Sequence, residues 1–144
     1  MYIQYEECKR RYEWSYQKYS AILAEKEALF QRTQMQAVDY GKDKVSSSGA
    51  GNPFEAYMIE KERLKIDERL LEAQSIMDAR AELLEAKKAE LRASKDDMDR
   101  IYCLTRFDKK KVWIIAKRLS YSQSQIYRKL RIIDKKLKDA TKCE

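Results

Sequence analysis

Glycine and proline are nearly missing from this chain of 144 residues, which holds three Gly and one Pro. That shortage, set against abundant Glu, Lys, Ala, Leu and Arg, excludes a turn-rich sheet protein and predicts an all-α fold. Histidine is absent altogether, which removes the commonest general base and the commonest metal ligand. Cys8, Cys103 and Cys143 are odd in number and lack metal-ligand spacing, so they read as reduced thiols. There is no Gly-rich phosphate loop, and the carboxylates lie dispersed among lysines as solvated helix faces do. No catalytic residue, no metal and no cofactor is expected, and the chain does not read as an enzyme. No apolar run is long enough to span a bilayer, and Glu6, Glu7, Lys9, Arg10 and Arg11 stand where a signal peptide would be apolar. A cytoplasmic protein with no membrane partner is the expectation.

What is present is charge, unevenly spread. Residues 101–144 carry 13 Lys/Arg against 4 Asp/Glu, a net of +9, while the first hundred carry 18 against 20, a net of −2. The whole basic excess lies in the last third, and that asymmetry points to a polyanionic partner for this part alone. The same stretch carries a helix-turn-helix pattern. Val112, Ile115, Ala116 and Leu119 recur at i, i+3, i+4 and i+7, with the small Ala116 where two helices would cross. Ser120-Tyr121-Ser122 interrupts the period, and Ser122 suits the N-cap of a second helix that buries Ile126, Leu130, Ile133 and Leu137. Ser124, Arg128, Arg131 and Lys135 fall on the opposite side, with Gln125 flanking them. Arg pairs bidentately with guanine and Gln with adenine, so this outward face is one a DNA major groove accepts.

The first ninety residues read as two long helices. From about Ile3 to Val38, Tyr5, Cys8, Tyr12, Tyr16, Tyr19, Leu23 and Phe30 trace an apolar stripe, widened by Ile22 and Leu29. Residues 39–52, DYGKDKVSSSGAGN, are the one low-complexity stretch and read as a flexible connector. A second helix is expected from Pro53, capped by Asn52, to about Arg92. Its heptad-like seam is Ile59, Arg63, Ile66, Leu70, Ala73, Met77, Arg80, Leu84, Lys87 and Leu91. An intramolecular hairpin and an antiparallel dimer both suit that imperfect seam, and a homodimer or higher oligomer is expected. Ser94 to Asp97 reads as a capping box opening a helix to Phe107, and Asp108 to Lys111 as a connector. Two regions follow: an oligomerising hairpin over 1–92 and a three-helix head over 94–144, its core around Ile101, Ile115, Ala116, Leu119, Ile126 and Leu130.

The stretch Leu104-Thr105-Arg106-Phe107, then VWIIAKRLSYS from Val112 to Ser122, then Ile126-Tyr127-Arg128-Lys129-Leu130, resembles region four of bacterial sigma factors. More closely, it resembles the phage-encoded transcriptional regulators of the RinA and ArpU type. The motif-level likeness covers about the last forty residues; the rest is similar in layout only. Ser120 departs from the pattern, which usually has Gly there to relieve a left-handed turn residue. The resemblance implies a sequence-specific regulator of transcription acting on double-stranded DNA, phage or prophage encoded and serving late genes.

On this reading Ser124, Gln125, Tyr127, Arg128 and Arg131 would meet base edges, and Lys110, Lys111, Lys117, Arg118, Ser122 and Lys129 would contact phosphates. Packing on the helix flank is an equal alternative for Tyr127. Two other readings stand beside this one. One is a protein-interaction module docking on RNA polymerase or a sigma factor; the other is a DNA-packaging subunit of the small-terminase kind.

Overall fold

The computed structural model describes residues 1–42 and 52–143, with side chains for 1–35 and 52–143. Those residues are all-α: the helices are α1 (Tyr2–Lys42), α2 (Pro53–Arg63), α3 (Ile66–Ala93), α4 (Asp97–Tyr102), α5 (Val112–Leu119) and α6 (Gln123–Lys142), with a π-helical turn over Cys103–Phe107 after α4. Among the described residues there is no strand, and no helix is long and apolar enough to cross a membrane. The three cysteines carry no disulfide, with Cys103 buried and Cys143 exposed. The chain divides into two compact units, residues 13–79 and residues 1–12 with 80–144.

In the unit of residues 13–79, α1 packs against α2 and the start of α3 within one chain. Leu29, Tyr57 and Ile66 are buried together, with Ile22, Leu64 and Leu70 against them, and Phe30 meets Tyr57 edge-on at 5.2 Å. Arg69 grips Glu25 through both terminal guanidinium nitrogens, at 2.9 and 3.2 Å. Asp67 accepts from Lys61 at 2.7 Å and Lys26 at 3.0 Å, and those hydrogen bonds, Lys61's first, hold its carboxyl below the usual range. The seam expected on the second helix is inward from Ile66 to Leu91, where every member is buried or half-buried. Within each unit α1 of the same chain covers part of it: Ile66 and Leu70 lie with Ile22 and Leu29, and Leu84 and Leu91 with Tyr2 and Tyr5.

Three expectations need correction. The first helix runs to Lys42, so residues 39–42 are helical; the rest of the expected connector, 43–51, lies outside the described residues. The second helix is broken at Leu64–Lys65, where Lys65 takes a left-handed φ of 51°. The break resets the helical phase, so Tyr57 and Leu64 turn inward while Ile59, 65% exposed, and Arg63 turn out. On α1, Tyr19, Ile22 and Leu29 lie inward as expected, but three members of the stripe lie one residue off. Its inward positions here are Ser15, Tyr19, Ile22, Lys26, Leu29 and Thr33, at alternating steps of four and three, whereas Tyr16, Leu23 and Phe30 are exposed. Thr33 is tolerated inside because its hydroxyl donates to the carbonyls of Leu29 and Phe30 at 3.1 and 2.8 Å.

The other unit is larger than the head expected over 94–144. Its core joins Ile101, Tyr102, Cys103, Ile115, Ala116, Ile126 and Ile133 to Tyr2 and Tyr5 of α1 and Leu91 of α3. Leu119 and Leu130 pack at its edge. Tyr2 stacks on Tyr102 with ring centroids 5.5 Å apart, and Tyr5 meets Phe107 edge-on at 5.1 Å. The Tyr102 hydroxyl donates to the Glu6 carboxylate; burial, then this bond, pushes its ionisation far above the ordinary tyrosine range. Asp99, only 3% exposed, accepts the Tyr2 backbone N–H at 3.2 Å and the Ser94 hydroxyl at 2.7 Å. Ser94 is therefore not the expected cap: Asp96 caps α4, accepting from the Met98 N–H at 3.1 Å.

Tyr5→Ala should cost about 3–5 kcal/mol, the range for removing a buried aromatic. Tyr16→Ala, on the exposed side of the same helix, should stay within about 0.5 kcal/mol. Urea denaturation followed by circular dichroism measures both, and equal losses would place Tyr16 in the core instead.

Candidate nucleic-acid interface

The basic region is held in shape by the π-helical turn. Its wide register lets the Asp108 N–H reach the Cys103 carbonyl at 3.1 Å and the Lys110 N–H reach Leu104 at 2.9 Å. The connector to α5 is thus fixed by backbone bonds, with Lys109 left-handed at φ 48°. Lys110 and Lys111 are exposed at the start of α5, which has no side-chain cap. Such a helix start offers unpaired N–H groups and the positive end of its dipole to an anion. On α5, Ile115 and Ala116 are buried and Val112 and Leu119 half-buried, as their spacing demands. Lys117 is exposed and shares its face, four residues on, with Trp113, which is 55% exposed.

Ser120 ends α5 in the left-handed conformation, φ 57° and ψ 38°, and its N–H and that of Tyr121 both bond the Ala116 carbonyl. Tyr121 ties the turn to α4 by donating to Asp97, a bond that raises the phenol's pKa. Ser122 then caps α6 in a reciprocal box: its hydroxyl accepts the Gln125 N–H at 3.2 Å, and the Gln125 side-chain carbonyl accepts the Ser122 N–H at 2.9 Å. Two expected contacts are therefore already employed within the chain. Gln125 cannot offer adenine its carbonyl while it closes this box, and the Ser122 hydroxyl serves as cap.

The inner face of α6 is anchored by Ile126 and Ile133, 0% and 2% exposed, and its flank by Arg106 to Asp134 at 3.0 Å. Ser124, Tyr127, Arg128, Arg131 and Lys135 are all exposed on the other side. Tyr127, at 53% exposed, is not packed away. Lys129 is half-buried on the flank with its ammonium 4.9 Å from the Tyr121 ring centroid, a cation–π position that competes with phosphate contact. Arg118 departs from the rest, lining a cavity of about 230 Å³ with Arg92, Arg100 and Asp108 over Leu91 and Cys103. Burial first raises the pKa of the Cys103 thiol, which keeps it a protonated, inert packing group.

Gln123 was overlooked in the sequence. It is exposed in the first position of α6, next to the cap, and that adjacency was the available signal. No group of three or more His, Cys, Asp or Glu able to hold a metal occurs among the described residues. Compared with protein-family models, curated proteins and solved structures, the chain matches none.

Ser120→Gly should raise stability by about 1 kcal/mol, because Gly takes a left-handed turn without the Cβ clash. The denaturation midpoint measures this, and a fall would mean that the turn is not left-handed in solution.

Proposed function

We propose that this protein is a sequence-specific double-stranded-DNA-binding regulator of transcription that reads the major groove with α6. One observation carries the reading: α6 exposes Ser124, Arg128 and Arg131 on the face opposite its buried isoleucines. A rigid helix that displays bidentate donors away from its core is what groove readout needs. Tyr127 and Gln123 extend that face. Lys110 and Lys111 at the uncapped start of α5, with Lys117, supply the phosphate anchor, and the +9 charge of residues 101–144 supplies the long-range attraction. The likeness to RinA- and ArpU-type regulators adds phage late-gene control as the biological setting.

Selection of bound duplexes from random DNA by the full chain tests the reading. A shared sequence motif is expected; binding that follows charge alone would refute it. Arg128→Ala should lose about 1–3 kcal/mol of discrimination at one position of that motif. Lys117→Ala should weaken all duplexes alike and reduce the magnitude of the log K against log salt slope by about 0.9. An unchanged motif for Arg128→Ala would remove that residue from base readout.

A further inference from the structure

The unit of residues 13–79 leaves one face of α1 uncovered, and its pattern is not that of a solvated helix. Opposite the inward stripe, Trp14, Gln17, Ala21, Ala24, Ala28, Gln31 and Met35 succeed one another at alternating steps of three and four, and all are exposed. Trp14 and Met35, at its ends, are 51% and 71% exposed. In a chain that is 38% charged, the outermost face of a long helix should collect charge. This stripe has none over more than five turns, and its 3-4 spacing is that of a helix-pairing seam.

The edges of the stripe say what pairs with it. With Trp14, Ala21, Ala28 and Met35 as the a positions and Gln17, Ala24 and Gln31 as d, Glu13 and Glu27 stand at g, and Lys18 and Arg32 at e. Lys18 already lies along the stripe, its ammonium 4.0 Å from the Trp14 ring centroid. In a parallel, in-register pair, each g residue faces the e residue five positions on in the other helix. That arrangement sets Glu13 against Lys18 of the second copy and Glu27 against its Arg32, in both directions. The remaining pair, Ser20 with Glu25, is neutral. An antiparallel pair instead faces g with g and e with e, so neither Glu13 nor Glu27 meets a cation of the other copy. The glutamines decide the same way. In parallel register Gln17 meets Gln17 and Gln31 meets Gln31, so their amides can satisfy each other; in antiparallel a–d layers each would face an apolar residue and leave buried polar groups unpaired.

We propose that the outer face of α1 from Trp14 to Met35 docks on the same face of a second copy of this chain, the two α1 helices lying parallel and in register. The alanines permit close approach of the backbones, and the two Gln layers fix the register at some expense in affinity. The proposal needs nothing from the DNA-binding reading, and either can fail without the other. If both hold, one assembly carries two reading helices, and the second contact with a duplex forms at high effective concentration.

Sedimentation equilibrium of the full chain should show a dimer at about 100 µM, a weak association, and Ala24→Glu should abolish it. Glu27→Lys should weaken the dimer about tenfold, as expected for two ion pairs turned repulsive, and Glu27→Lys with Arg32→Glu should restore it. Orientation is read with Gln31→Cys, near one end of the stripe, where a residue meets its own copy only in a parallel pair, in a chain carrying Cys8→Ser, Cys103→Ala and Cys143→Ser. Mild oxidation should link two copies at Cys introduced there, and far less at Ala86→Cys on exposed α3. Circular dichroism of each variant checks that it remains folded. A monomer throughout the range overturns the proposal, as does a dimer that survives Ala24→Glu or cross-links equally well through Ala86→Cys.

Discussion

The packing of the first turns of α1 against the α4 region is the interaction on which the basic unit depends. A head of about fifty residues buries too little surface to be secure alone, since domains of that size are marginal. Tyr2 and Tyr5, 5% and 8% exposed, enlarge the core with two aromatic side chains, each worth about 1.5–3 kcal/mol on full burial. The contact is specific as well as apolar. Asp99 is buried yet accepts two hydrogen bonds, one of them from the backbone N–H that opens α1. A carboxylate in that position would be costly without those donors.

From that core the geometry passes outward through a short series of contacts. Tyr102 and Phe107 pack together at 5.7 Å and bracket the π-helical turn. The turn holds the Lys110 N–H and so sets where α5 begins. α5 ends at Ser120, whose left-handed conformation aims the chain into the Ser122 cap and α6. Every link is a backbone bond, a capped helix end or a buried or half-buried side chain, so the exposed Arg128 and Arg131 stand on a firmly held helix.

Much of this was legible from residue order, and the failures have physical causes. The α5–turn–α6 motif was readable because its apolar residues keep strict helical spacing and Ser122 and Gln125 sit three apart. That same spacing misled at Gln125: a base-reading residue type at the third helical position is also a capping-box residue, and the local bond prevails. The stripe on α1 was misplaced in part, because its inward row contains Ser15, Lys26 and Thr33, while the neighbouring exposed row holds Tyr16, Leu23 and Phe30. The break at Leu64–Lys65 carries no Gly or Pro to mark it. Nor could spacing reveal that Tyr2 and Tyr5 belong with Tyr102, a contact nearly one hundred residues apart.

Native-state hydrogen exchange of the intact chain tests the central claim, that the start of α1 is part of the basic unit's core. Amides of residues 5–12 should open with the same free energy as those of α4 and the buried stretch of α6, as members of one cooperative unit. Exchange at residues 5–12 as fast as a fraying terminus, while Ile126 and Ile133 stay protected, would contradict it.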